Sequence, residues 1–334
     1  MKYRLQTRGA IAGITGFVAA CSSMTAPANN DRLSAEFVSD SAWSPVIAGS
    51  LIAWRRPGFS AGTGVVIHDL STDLQRVLLD ESVATDRPAV STRFVAWDEV
   101  DLSDPGLDVD VFYHDLEEDR TVRLAEAGDQ SLPVLHGDLL VWGMLQGHTR
   151  KLILRDLGTG TVRQVSSDAA IPVGADLSNE YVVWTDFRAD STDVYLFDLR
   201  TGEERALTSN PASQGNPAIS GSTVVWTDLR SGDPDIYAMD VVTGVEERLT
   251  KDDARQTDPD VFGDWVAWAD WGGGSHIRLR NLKTGLECGV QASSAPQFEP
   301  QLSEEYVVWW EDPLTGFEVY AARLPAPGAT DCTN

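Results

Sequence analysis

Lysine is almost missing from this chain: Lys2, Lys151, Lys251 and Lys283 are the only four in 334 residues. Arginine supplies the rest of the positive charge, and 26 basic against 51 acidic side chains leave a formal net charge of −25. Such a surface repels phosphate backbones and anionic headgroups, which excludes nucleic acid as a partner class. Histidine is nearly as scarce. His68, His114, His136, His148 and His276 are scattered without metal-ligand spacing, so neither a metal site nor a cofactor is expected. H-E-x-x-H and C-x-x-C do not occur, and no catalytic residue is nominated. Long hydrophobic runs are missing as well. The apolar stretch near the start, Ala10 to Phe17, is too short to span a bilayer as a permanent helix.

Cysteine completes the scarcities, with three residues. Cys21 ends Val18-Ala19-Ala20-Cys21, which follows a basic segment (Met1 to Gly9) and the short apolar core. That order is a secretory leader, and its last four residues resemble the lipobox of bacterial lipoproteins. Residues 1–20 are therefore expected to be removed, Cys21 to carry lipid, and 21–31 to act as a flexible tether. Ser22 after the cysteine implies, by resemblance to enterobacterial sorting, an exported protein anchored in the outer membrane. It would face the periplasm or the cell surface and touch the membrane through the anchor only. Losing Lys2, Arg4 and Arg8 with the leader takes the charge from −25 to −28. The remaining pair, Cys288 and Cys332, is expected to form a disulfide, since export places it in an oxidising compartment.

What the chain has in abundance is one repeated unit. Trp54, Trp97, Trp142, Trp184, Trp226, Trp268 and Trp309 each follow two apolar residues, at spacings of 43, 45, 42, 42, 42 and 41. A proline precedes six of them by nine residues, at Pro45, Pro88, Pro133, Pro217, Pro259 and Pro300, whereas Pro172 lies twelve before Trp184. The stretch from Pro217 to Thr250 shows the unit clearly: four short β-rich segments separated by Gly221-Ser222, a polar loop at 230–234, and Thr243-Gly244. A period of 40–45 with four strands per unit predicts an all-β, seven-bladed β-propeller spanning 32–325, with 326–334 as a tail. The seventh unit lacks a fourth strand after Leu324, so the segment Leu33 to Val38 is expected to complete it and close the ring. Asp69, Asp115, Asp156, Asp198 and Asp240 share one column at the end of the third strand and read as turn-capping residues.

The units resemble the TolB-like propeller repeats, seen best in Leu196 to Thr208 (LFDLRTGEERALT) and Ile236 to Thr250 (IYAMDVVTGVEERLT). The resemblance runs from about Leu33 to Leu324 and implies the fold. It implies no envelope-complex role, because the α/β domain of TolB itself has no counterpart here.

In such a ring the loops between strands two and three share one face with the connections between blades. That face collects Asp186, Arg188, Asp228, Arg230 and Asp270 from the loops, and Gln214, Gln256 and Gln297 ahead of the repeat prolines. They are the candidate ligand-binding residues. Asp186 and Arg188 recur as Asp228 and Arg230, which favours a salt bridge that stabilises each hairpin, and the recurrence of Gln130, Gln214, Gln256 and Gln297 favours a backbone-bonding role. Asp101 to Asp110 reads as a solvated acidic loop, short of a calcium-loop spacing. The expectation is a non-enzymatic envelope lipoprotein binding an envelope protein or a glycan on this face. A polysaccharide-acting lyase or hydrolase, or a scaffold subunit, are the alternatives.

Overall fold

The computed structural model describes residues 31–40, 42–57, 63–79, 87–100, 108–124, 126, 128–290, 295–314 and 316–332. The leader, Cys21, the tether to residue 30 and the acidic loop at 101–107 lie outside the described residues.

Seven antiparallel sheets follow one another along the chain and form a seven-bladed propeller. Blade 5 shows the plan. Gln214–Ser220 pairs with Thr223–Asp228, which pairs with Asp235–Asp240, which pairs with Val245–Arg248. Every first strand packs against the first strands of both neighbouring blades, blade 7 against blade 1 included, so these strands surround the axis.

Each blade is apolar on both faces, and the anchor tryptophans explain why that is stable. Trp226 is fully buried among Val183, Val194 and Leu196 of blade 4. Trp184 does the same with Val141, Leu152 and Leu154 of blade 3, and Trp54 with Val308, Val319 and Ala321 of blade 7. Each anchor thus fills the gap to the preceding blade, and seven separate apolar clusters form in place of one central core. Burying a side chain of this size contributes about 3 kcal/mol or more against solvent exposure.

The column of third-strand aspartates caps the turns that follow. Asp198 accepts from Arg200 N and Thr201 N at 2.8 Å, and Asp156 from Gly158 N and Thr159 N at 2.9 Å. Arg93 and the amides of Glu117 and Glu118 hold the Asp115 carboxyl down to about 2 against the cost of burial.

Closure differs in register from the expectation. Blade 7 (Gln297–Leu302, Tyr306–Glu311, Glu318–Arg323) takes Glu36–Asp40 as its fourth strand, with Glu36 opposite Ala321 and Asp40 opposite Glu318. Leu33 belongs elsewhere. Arg32–Leu33 adds a parallel edge to blade 6, opposite Gly289 and Val290. The reason is burial: Leu33 is 1% exposed and shares a cluster with Cys288, Cys332 and Leu324. Cys288 and Cys332 are disulfide-bonded, which brings the end of the chain to that same blade.

Candidate functional site

Strand one begins where strand two ends, so one face of the ring gathers the blade-to-blade connections and the loops between strands two and three. The sequence-nominated residues all sit at this end, and the structure turns most of them inward. Asp228 is 0% exposed and accepts from Trp226 Nε1 at 2.9 Å, Arg230 N at 2.8 Å and Arg230 Nη2 at 2.6 Å. Asp186 makes the same set with Trp184 and Arg188. Each arginine lies over a tyrosine, Arg188 at 4.0 Å from Tyr195 and Arg230 at 4.4 Å from Tyr237, and pairs on its other side with Glu204 or Glu246. Burial would raise the Asp186 carboxyl, but Arg188 and Trp184 more than offset it and hold it below its ordinary value. Gln214, Gln256 and Gln297 are fully buried, and Gln297 bridges Ile277 N and Glu311. Asp270 is half-buried and accepts from Gly272 N. The Trp-x-Asp-x-Arg constellation fastens its own hairpin.

The residues nearest the axis include Asn216, Asp258 and Glu299, which the sequence places on this face at the ends of the blade-to-blade connections. Ser44, Leu132, Gly174, Asn216, Asp258 and Glu299 all take φ between 47° and 57°, the left-handed region that side chains other than glycine rarely adopt. Each sits at a bulge of its first strand, and in five blades the repeat proline comes next. In blade 5 Asn216 and Pro217 together oppose Trp226, since Gly215 pairs with Thr227 and Ala218 with Val225. The displaced amides bond to the preceding blade, Asn216 N to Thr185 Oγ1 at 3.0 Å and Leu132 N to Asp98 Oδ2 at 3.1 Å. Five strained non-glycine positions on one ring are a costly arrangement, of a kind that gathers at working sites.

Around this ring stand four carboxyl groups and one guanidinium: Asp176, Asp258, Asp260, Glu299 and Arg87. Asp176 accepts from Ile219 N of blade 5 at 2.8 Å, and Asp260 from Leu302 N of blade 7. Both are enclosed by neighbouring first strands and reached by solvent only in part. Burial pushes Asp176 up to about 6 and Asp260 up to about 7, with the charge of Asp176 adding to Asp260. Asp258 is raised by burial and by Glu299, against a hydrogen bond from Thr257 and the attraction of Arg87. Ser44 Oγ donates to Glu299 Oε2 at 3.1 Å across the seam between blades 1 and 7.

This geometry fixes a pH dependence. The Asp260 value lies above the unfolded 3.8, so the native protein holds a proton that the unfolded chain releases, and stability falls as pH rises from about 4 through about 7. Asp260→Asn keeps an acceptor for Leu302 N and removes the buried charge. It is expected to raise stability at pH 8 by roughly 2 kcal/mol, less than the full shift because solvent reaches the group. At pH 4 it should change little. Thermal unfolding at both pH values checks this, and equal effects at the two would sink the assignment.

No family model matches the chain, and no curated protein does. Solved structures do. The β-propeller domain of the Trilobed protease from Pyrococcus furiosus is similar with TM-score 0.67 and 13% identity, over 90% of this chain and 99% of that one. A Mycobacterium tuberculosis puromycin-hydrolyzing peptidase is similar with TM-score 0.66 and 14% identity, over 90% of this chain and 53% of that one. For a structure from a study of two prolyl endopeptidases the figures are 0.68, 14%, 88% and 49%. The shared feature is the fold. The chain spans about half the length of the whole peptidases, and the likeness assigns no catalytic centre to it.

These neighbours correct the functional expectation. They are propellers of peptidases, so the expectation of a non-enzymatic envelope lipoprotein binding a protein or glycan partner is withdrawn. Of the TolB-like resemblance, the propeller alone is supported. A G-x-S-x-G spacing does occur, at Gly58-Phe59-Ser60-Ala61-Gly62. It lies outside the described residues. Its flanking strands, Leu51–Pro57 and Thr63–Asp69, pair antiparallel, whereas the serine-nucleophile motif requires a strand followed by a helix.

Proposed function

We propose that this protein is a peptidase-related propeller, a ring that receives extended peptide at the face where its first strands begin. The observation that carries the reading is the likeness of nearly the whole described ring to the propellers of peptidases, one of them matched over 99% of its length. The site geometry supports it. The face offers carboxyl groups around an axis, on bulged strands whose distorted backbone follows no regular ladder. An extended peptide, with its amino groups and free backbone donors, complements such a surface better than a compact folded partner does.

The test is to incubate the purified protein with fluorescent unstructured peptides of six to ten residues. Anisotropy reads binding, and mass spectrometry reads cleavage. Saturable binding or hydrolysis of such peptides, with no response to a folded protein of similar composition, is the expected result. Neither binding nor cleavage of any peptide would overturn the reading.

A further inference from the structure

Beside the acidic ring, blades 6 and 7 carry an aromatic shelf. Phe298 stacks on Trp310 with ring centroids 4.4 Å apart, and Trp271 meets Phe298 edge-on at 5.8 Å. Phe317 closes the group from the far side, 5.3 Å from Trp310 at 90°. The four rings come from four elements: the loop after strand two of blade 6, the first strand of blade 7, its second strand, and the loop that follows. Trp271 is 40% exposed, a large side chain left at the surface. It continues a rim, because Phe187 and Leu229 occupy the same repeat position in blades 4 and 5 and are 49% and 41% exposed. Exposed apolar side chains thus recur at one position of this face in three successive blades.

The shelf is wired to the acids. Trp271 Nε1 donates to Thr257 Oγ1 at 3.0 Å, and Thr257 Oγ1 donates to Asp258 Oδ2 at 2.9 Å. Glu299 directly follows Phe298 in the strand, and its charge acts on Asp258. An exposed indole, fixed by its own N–H, therefore lies within two side chains of a carboxyl group. Arg87 offsets part of the field, but four carboxyl groups face it.

We propose that Trp271 and Phe298, with Asp258 and Glu299, form a subsite for a basic residue next to an apolar one in an extended peptide. The ammonium or guanidinium is drawn to the carboxylates and lies over the indole face, while the apolar neighbour rests on the stacked rings. Charge selects the occupant: an acidic peptide is repelled by the carboxylates of the subsite. A neutral sugar could stack on tryptophan but would gain nothing from the carboxylates. The inference rests on the peptide-receiving role and names the segment that role selects.

The probe is a fluorescein-labelled hexapeptide alternating Lys and Phe, compared with its Glu–Phe counterpart and with cellohexaose. The full chain should bind the Lys–Phe peptide at least tenfold more tightly than either, and less tightly as salt rises. Trp271→Ala changes a surface side chain and is expected to weaken the Lys–Phe peptide roughly tenfold without moving the melting temperature. Asp258→Asn with Glu299→Gln should weaken both the binding and its salt dependence. If Trp271→Ala binds within twofold of the wild type, or the Glu–Phe peptide or cellohexaose binds equally well, the subsite is wrong. In those cases retained binding of any peptide leaves the peptide-receiving role standing. Loss of that role shows separately, as failure of every peptide, whatever its charge, to bind the wild-type protein.

Discussion

Asp228→Ala is expected to destabilise the protein by about 3–5 kcal/mol, the range for breaking a buried ion pair from one side. The carboxylate is 0% exposed and serves three donors: the Trp226 indole, the Arg230 amide and the Arg230 guanidinium. Removing it leaves the indole N–H without an acceptor inside the interface between blades 4 and 5. It also strips Arg230 of its inner partner, while Tyr237 and Glu246 still hold the guanidinium in place. Asp228→Asn should cost less, because one amide oxygen still accepts. Urea unfolding of the three proteins checks the order. A midpoint for Asp228→Ala equal to wild type would mean that the network contributes nothing. The companion network in blade 4 adds a pH signature. The folded Asp186 carboxyl lies below the unfolded 3.8, so its stabilisation is present at neutral pH and is lost as pH falls below about 4. That is opposite in sign to Asp260, so Asp186→Asn should lose stability at neutral pH, where Asp260→Asn gains it.

Removing residues 31–40 should cost on the order of 4 kcal/mol. The deletion strips the fourth strand from blade 7, exposes the edge of Glu318–Arg323, and empties the place of Leu33 in the blade 6 cluster. The buried leucine accounts for about 2 kcal/mol, and the lost strand hydrogen bonds for a similar amount net of hydration. The disulfide acts on the same corner. Cys288 and Cys332 are 44 apart in sequence, and on the chain-entropy account a loop of that length contributes about 4 kcal/mol. Because Leu33 and both cysteines share one cluster, Cys332→Ser should cost less in the deleted protein than in the full one. Denaturation of the deletion, the Cys332→Ser protein and the double variant measures this. An unchanged midpoint for the deletion would refute closure by this segment, and strict additivity would refute a shared clasp.

Much of the architecture is written in local spacing. The tryptophan period counts the blades, because every blade needs one large side chain at the same place to fill the gap to its neighbour. The aspartate column marks the turns, because a carboxylate two or three residues before a turn amide reaches it whatever the tertiary context. The missing fourth strand after Leu324 shows that something must complete blade 7. The cysteine pair, Cys288 and Cys332, was legible from its even count.

The candidate site is another matter. From sequence, the recurrence of Asp186-Arg188 as Asp228-Arg230 favours a hairpin salt bridge, and that of Gln214, Gln256 and Gln297 a backbone-bonding role, but neither recurrence tells how deeply these groups are buried. Asp186 and Asp228 are buried because the Trp, Arg and Tyr side chains of their own hairpins close over them. Asp176 and Asp260 drew no attention, for no recurring motif marks either position in its first strand. Only the ring brings them under the field of each other and of Arg87. Trp271, Phe298, Trp310 and Phe317 lie up to 46 residues apart in the chain and meet because blades 6 and 7 are neighbours. By itself the sequence determined the unit, its sevenfold repetition and the capping of its turns, since these depend on neighbours a few residues away. The tertiary structure alone decided which polar groups face water and which rings share a shelf, because burial and field are set by side chains arriving from other blades.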